Sequence, residues 1–320
     1  MPAAPNSTAR LDVEELRRAR REIEASLHAP LTESGYRNDA RAFSVWCQQR
    51  GLACLPAAPE TVCLFVTDII VSGGKITSAA RRVAGIADQH RKLGLEVPVN
   101  AEVYTLLRAA RRFRPEQPRR MRALTTGELR KIAIRLRRQG TPAAFRDRCL
   151  MVLGFASGLR RSNLSALRIE DVEVDRRGLV LHVGREKNNQ EGRERLIALA
   201  AGKRRSTCPL RAYREWLRVR GSAGGPVFVR LDHARTAELL PMTGESIRKV
   251  VKRAVAGAGL DPAKLSVHSL RSSMITEAAA NGVPDLSIAV ASGHRSMQVL
   301  RGYIRPVDIW RAPVSAALGL

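Results

Sequence analysis

Acidic residues are scarce in this 320-residue chain: 30 Asp and Glu face 55 Lys and Arg, a net charge of +25. Charge of that size along the whole chain implies a polyanionic partner, nucleic acid ahead of an anionic membrane surface. No apolar run is long enough to span a bilayer and no lipidation signal appears, so the expectation is no membrane partner. Lysine is scarce too, at 8 of the 55 basic residues. Arginine's planar fork suits phosphate, although a biased genome gives the same skew. The five cysteines (Cys47, Cys54, Cys63, Cys149, Cys208) have no metal-ligand spacing and read as reduced core residues of an intracellular protein. The opening stretch MPAAPNSTARLDVEE has no apolar signal region, which predicts no secretion. A Gly-rich phosphate loop is missing, so no ATP use is expected. Glu170, Asp171 and Glu173 lie together, and they read as an ordinary turn into a strand rather than a magnesium site. No internal repeat or low-complexity tract is present.

What the chain does contain is helical periodicity. Residues 1–113 read as helices: Leu16, Ile23 and Leu27 share one face, and a second helix after Thr32 buries Tyr36, Phe43, Trp46 and Cys47. A third begins at Pro59, a favourable first-turn position, and runs to Gly73. A fourth, after Thr77, turns Ala80, Val83, Ala84 and Ile86 inward and leaves Arg81, Arg82, His90, Arg91 and Lys92 outside; Asn100 caps a fifth. Residues 114–123, RPEQPRRMRA, combine two prolines with four arginines and read as a stiff basic linker carrying Arg119 and Arg120. Residues 124–320 form the second domain, with a C-terminal tail. It opens on a capping box, Thr125 with Glu128, followed by an apolar helix from Thr141–Pro142 to Gly158. LVLHVG and ERLIAL flank a polar loop and predict a hairpin, after which helices are expected from Pro209 to the end. The fold class is mainly α with a small β-sheet. The helix from Thr243 is two-faced: Ile247, Val250, Val251 and Ala254 point in, while Arg248, Lys249, Lys252 and Arg253 point out. A basic face of this kind is either merely solvated or a DNA contact. Together with Lys75, Arg81, Arg82, Arg119 and Arg120, the residues Arg248, Lys249 and Lys252 are the nominated DNA contacts.

Cations occupy several unusual places. Arg160 follows the helix-ending Gly158, where it either pairs with Glu170 or Asp171 or awaits another anion. His268 and Arg271 are three apart on one helix face. Lys187 sits in the hairpin loop, His294 at a tight turn after Gly293, and Tyr303 about two turns into the next helix. Singly, each reads as ordinary structure. Together they supply a nucleophile, cations for non-bridging oxygens and an acid for a leaving oxygen, the needs of metal-free phosphoryl transfer.

In order, SGLRRSNLSALRIEDV, VGREKNNQEGRERLIAL, HSLR and SGHRSMQVLRGYI resemble the signature boxes of the tyrosine recombinases, or phage integrases. That family carries Arg, Lys, His-x-x-Arg, a second His or Trp, and Tyr nine residues beyond it. Arg160, Lys187, His268, Arg271, His294 and Tyr303 match in turn. The resemblance spans about 124–310, and the N-terminal helices resemble, more weakly, the family's SAM-like core-binding domain. Two supporting positions depart: Asn163 where Glu is frequent, and Ser272 where His is frequent.

The resemblance implies a mixed α/β catalytic domain that cuts and rejoins a double-stranded recombination site. Tyr303 would attack to form a 3′-phosphotyrosyl link. Arg160, Arg271 and His294 would hold non-bridging oxygens, Lys187 would protonate the leaving 5′-oxygen, and His268 would assist proton transfer at the tyrosine. Neither metal nor ATP is implied. Four copies on paired sites, dimers or monomers before synapsis, would exchange strands through a Holliday junction. The apolar tail VSAALGL would dock on a subunit. The expected setting is the nucleoid of a bacterial, phage or plasmid host cell's cytoplasm. The alternatives are relaxation of DNA in the manner of a type IB topoisomerase, or site-specific binding without catalysis.

Overall fold

Local chemistry fixes most helix ends. The computed structural model describes residues 12–25, 30–115, 121–184, 195–231, 237–294 and 296–308, with Ser315 and Leu318 beyond them. It divides into two compact units, Met1–Arg119 and Arg120–Leu320. Arg119, Arg120, Leu27 and Lys187 lie outside the described residues, as does the tail beyond Asp308 apart from Ser315 and Leu318.

The first unit contains α1 (Val13–Ala25), α2 (Pro30–Gln48), α3 (Pro59–Val71), α4 (Ile76–Lys92) and α5 (Ala101–Phe113). Pro59 opens α3 where a missing N–H costs nothing, and the Asn100 side chain accepts from the backbone N–H groups of Glu102 and Val103 at 3.1 and 3.2 Å. Phe43, Trp46 and Phe65 form an aromatic centre with edge contacts at 5.1 and 5.2 Å between centroids, and Val62, Val66, Ile86 and Leu107 pack with them. Two expectations need correction. The fourth helix begins at Ile76, with Lys75 at its N-cap. His90 is fully buried rather than outside: Ala57 N–H donates to its Nε2 at 3.1 Å, and its Nδ1 lies 2.8 Å from the Ile86 carbonyl. A carbonyl can only accept, so Nδ1 donates to it and both ring nitrogens are satisfied.

The second unit contains α6 (Thr126–Gln139), α7 (Pro142–Ser157), α8 (Arg161–Ala166), β1 (Val172–Asp175), β2 (Gly178–Val183), β3 (Arg195–Ala200), α9 (Pro209–Arg220), β4 (Val229–Leu231), β5 (Ala237–Pro241), α10 (Gly244–Gly257), α11 (Val267–Ala280), α12 (Asp285–Ser292) and α13 (Met297–Asp308). The Thr125–Glu128 capping box forms as expected. So does the Thr141 cap of α7, which is buried on nearly every side and forms the hub of the unit against α6, α9 and α11. The predicted hairpin is the antiparallel β2–β3 pair, in register Leu179↔Leu199 and Leu181↔Ile197, with β1 on its other edge. Leu179, Leu181, Ile197 and Leu199 all face the core, as the period of two demands. The expectation of helices alone after Pro209 is wrong: β4 and β5 form a second antiparallel pair. Val227, Phe228 and Val229 of that segment are fully buried.

Arg122 N–H donates to the Lys264 carbonyl at 3.0 Å and its guanidinium forks onto Glu128, so this end of the 114–123 stretch is fixed to the second unit. The acidic trio diverges. Glu170 accepts from Gly225 N–H and pairs with Arg168, Asp171 accepts from Arg168 N–H, and Glu173 faces His182.

Candidate active site

Helix α7 ends at Gly158, whose φ of 60° is left-handed and reverses the chain. The reversal buries Leu159 and puts half-buried Arg160 at the N-cap of α8. Ser266 caps α11 and places His268 and Arg271 in its first turns, one turn apart on one face. Arg271 is 2% exposed, yet it is a charged residue, so its geometry is informative. Its Nη1 donates to the Gly158 carbonyl at 2.7 Å, and its Nη2 lies 3.3 and 3.4 Å from the two ring nitrogens of His294. The turn that ends α7 therefore anchors the guanidinium, and the guanidinium meets His294.

His294 follows Gly293, another left-handed residue at φ 66°, which closes α12. Its backbone N–H returns to the Ala289 carbonyl at 3.0 Å. From α13, Tyr303 brings its Oη to 2.9 Å from His268 Nε2, and its ring lies 5.8 Å from that of His294. Tyr303 packs beside a small apolar cluster of Ile275, Ala279, Ile288, Leu300 and Ile304. That cluster sets α13 against α11 and so holds the phenol over the imidazole.

The pKa of His294 is lowered to about 4, first by desolvation and then by Arg271, Arg160, His268 and Arg195. His268 is lowered for the same leading reason, partial desolvation, and then by Arg271 and Arg160. Both imidazoles are thus neutral near pH 7. Two guanidiniums that repel protons from both rings form a cationic focus with a hydroxyl at its edge. An anion placed there is held by forked donors and lies within reach of Tyr303.

Five of the six residues singled out in the sequence thus form one cluster: Arg160, His268, Arg271, His294 and Tyr303. Two further members were missed. Arg195, at the start of β3, donates to the Ala291 carbonyl near the end of α12, and Ser292 lies 2.7 Å from His294 Nδ1. Neither carries a signal in the sequence, since the burial of Ser292 and both contacts appear only in the fold.

Of the nominated DNA contacts, Lys75, Arg81, Arg82, Arg248, Lys249 and Lys252 are among the described residues. Lys75 is exposed, Arg81 pairs with buried Asp39, and half-buried Arg82 sits 5.8 Å over the Phe65 ring. On α10, Lys249 is exposed, Arg248 forks onto Glu245 at 2.8 and 2.6 Å, and the Lys252 ammonium donates to the Pro262 carbonyl. Ser272, one of the two departures, is buried and turns its hydroxyl back to the Ser269 carbonyl.

The model of the phage integrase family matches residues 122–308, which include the whole cluster. The chain belongs to the tyrosine recombinases. The recombinase is 29% identical over 298 residues to an integrase/recombinase of Selenomonas ruminantium described as a xerD homolog, covering 92% of this chain and 86% of that one. Its fold resembles a lambda integrase dimer bound to a COC′ core site, with TM-score 0.60 and 19% identity over 90% of this chain and 75% of the other. It also resembles a lambda integrase tetramer bound to a Holliday junction, with TM-score 0.59 and 18% identity over 93% and 78%. The chain is therefore an enzyme of the class that recombines DNA. No helix among its described residues is long and apolar enough to cross a membrane.

Proposed function

We propose that this recombinase breaks and rejoins a specific double-stranded DNA site through a covalent bond to Tyr303. The Oη of Tyr303 attacks the scissile phosphorus, a tyrosyl O–P bond forms and the P–O5′ bond breaks, leaving a 3′-phosphotyrosyl link and a 5′-hydroxyl. His268 Nε2 accepts the phenolic proton, and Lys187 delivers a proton to the departing 5′-oxygen. Arg160, Arg271 and His294 hold the non-bridging oxygens. Arg271 Nη2 and His294 Nε2, 3.4 Å apart, are spaced to meet the same phosphate. The phosphotyrosyl bond conserves the energy of the phosphodiester, so the cycle runs without ATP or metal.

The observation that carries this reading is the 2.9 Å contact between Tyr303 Oη and His268 Nε2, beside the Arg271–His294 pair. The lambda integrase structures, a dimer on a core site and a tetramer on a Holliday junction, support assembly of this chain as a homotetramer on paired sites. A nicked suicide substrate carrying a selected binding site tests the proposal. A covalent protein–DNA adduct should form in EDTA and be absent in Tyr303→Phe. Tight binding with no adduct would leave a DNA-binding protein without catalysis.

A further inference from the structure

Ser292 is the last residue of α12 and is fully buried. Its Oγ lies 2.6 Å from the Ile288 carbonyl, 3.3 Å from the Ala289 carbonyl and 2.7 Å from His294 Nδ1. A serine hydroxyl has one proton to give, and carbonyl oxygens can only accept. At 2.6 Å, two oxygens facing each other without a proton between them would repel, so the hydroxyl donates to Ile288. Its contact with His294 must then run the other way, with Nδ1–H donating to Oγ. Arg271 Nη2 is a donor only and lies against the ring, nearly equidistant from both nitrogens; with Nδ1 already carrying a proton, Nε2 is the nitrogen left bare beside it.

We propose that Ser292 is a positioning residue that locks His294 as its Nδ1–H tautomer, so that Nε2, beside Arg271, is the ring nitrogen presented to the scissile phosphate. This rests on the cleavage reading above for its consequence, but not for its geometry. The backbone is built to hold the pair. The left-handed Gly293 brings the ring back over the helix it has just left, and the His294 N–H bond to Ala289 O fixes that turn. Arg195 reaches from β3 to the Ala291 carbonyl, next to Ser292. Charged and titratable groups face the ring from each side: Arg271 and His268 from α11, Arg160 from the start of α8, Arg195 from β3 and Tyr303 from α13. Desolvation and these cations keep the imidazole neutral, and a neutral imidazole must choose between two tautomers. With the wrong one, a bare Nδ1 would face a Ser292 oxygen whose proton is already given to Ile288. With the right one, Nε2 is bare beside Arg271 until a phosphate anion arrives. Nε2 can then take up a proton and donate to a non-bridging oxygen, while Nδ1 keeps its bond to Ser292.

Long-range ¹H–¹⁵N NMR of the full chain with ¹⁵N-histidine tests this, the His294 signals being identified by their loss in His294→Gln. At neutral pH, wild-type His294 should show a protonated Nδ1 and a bare Nε2. In Ser292→Ala that preference should be lost, and the rate of adduct formation should fall about ten- to hundredfold, as when a partner that orients an imidazole is removed. DNA affinity should stay within about twofold, since uniform binding is untouched. Ser292→Thr restores the hydroxyl and should recover the tautomer and most of the rate. A wild-type Nε2–H tautomer would overturn the proposal even if Ser292→Ala failed to fold. An unchanged tautomer in Ser292→Ala, or a changed tautomer with an unchanged cleavage rate, would overturn it too. Absence of adduct in the wild type would refute the cleavage reading instead, while the NMR result would still decide the tautomer.

Discussion

A histidine pressed to a pKa of about 4 leaves a mark on stability. In the unfolded chain His294 titrates near 6.5; in the folded chain it resists protonation because desolvation, Arg271, Arg160, His268 and Arg195 oppose a further charge. Between these values the unfolded state binds the extra proton, so stability is full above about pH 6.5 and is lost as pH falls toward 4. His268 is shifted the same way and adds to the effect. Replacing His294 with Gln removes one of the two contributions. The fall in Tm between pH 7.5 and 5 should therefore be shallower in His294→Gln than in the wild type. Equal slopes would mean that the ring is not held neutral by its surroundings. The five clustered catalytic candidates were legible as residues because their order and spacing match those of a family. Ser292 and Arg195 were not, because their roles come from contacts that close only in three dimensions: 2.7 Å to a ring folded back by Gly293, and a donation from β3 to the end of α12.

At the scale of elements, the end of α7 does two jobs. Gly158 terminates the helix in a left-handed conformation, and its carbonyl anchors Arg271. A Cβ at Gly158 would also collide with Met274 Cε, the mobile end of a flexible side chain. Gly140 ends α6 at nearly the same φ, 64°, with open space around it and no link to the site. Alanine at either position pays about 1–2 kcal/mol for the left-handed backbone, a Tm loss of a few degrees. Gly158→Ala should in addition slow adduct formation, and Gly140→Ala should not; equal rates in the two variants would refute the anchoring role of the α7 turn. Element ends were readable in advance where cap chemistry is local, as at Asn100, Thr125, Thr141 and Thr243. The β4–β5 pair was not, since three residues of β4 carry no measurable period, although PVFVR holds the β-branched and aromatic residues that strands favour. His90 was misplaced for a related reason: it neighbours Arg91 and Lys92, and its decisive partner, Ala57, is 33 residues away.

For the whole molecule, the net charge of +25 predicts a steep ionic-strength response. Six to ten phosphate contacts would cost on the order of 10³–10⁵ in affinity between 50 and 200 mM salt. Fluorescence anisotropy on a labelled duplex measures this directly, and a flat response would sever the charge from DNA binding. Neutralising single exposed residues such as Lys75 or Lys249 should lower the slope by about one contact if they touch phosphate, and leave it unchanged if they are merely solvated.

The cysteines have a practical consequence. All five are free thiols; Cys47, Cys63, Cys149 and Cys208 are buried, and Cys54 alone is partly accessible. Burial pushes the Cys47 thiol up to about 11 and raises Cys63 and Cys149 as well, which suppresses the reactive thiolate. To a maleimide, the folded protein is therefore nearly a single-thiol reagent. Mass spectrometry should find one dye per native chain, on Cys54, and five after denaturation. A fluorophore can thus be placed on the first unit without first deleting the other cysteines.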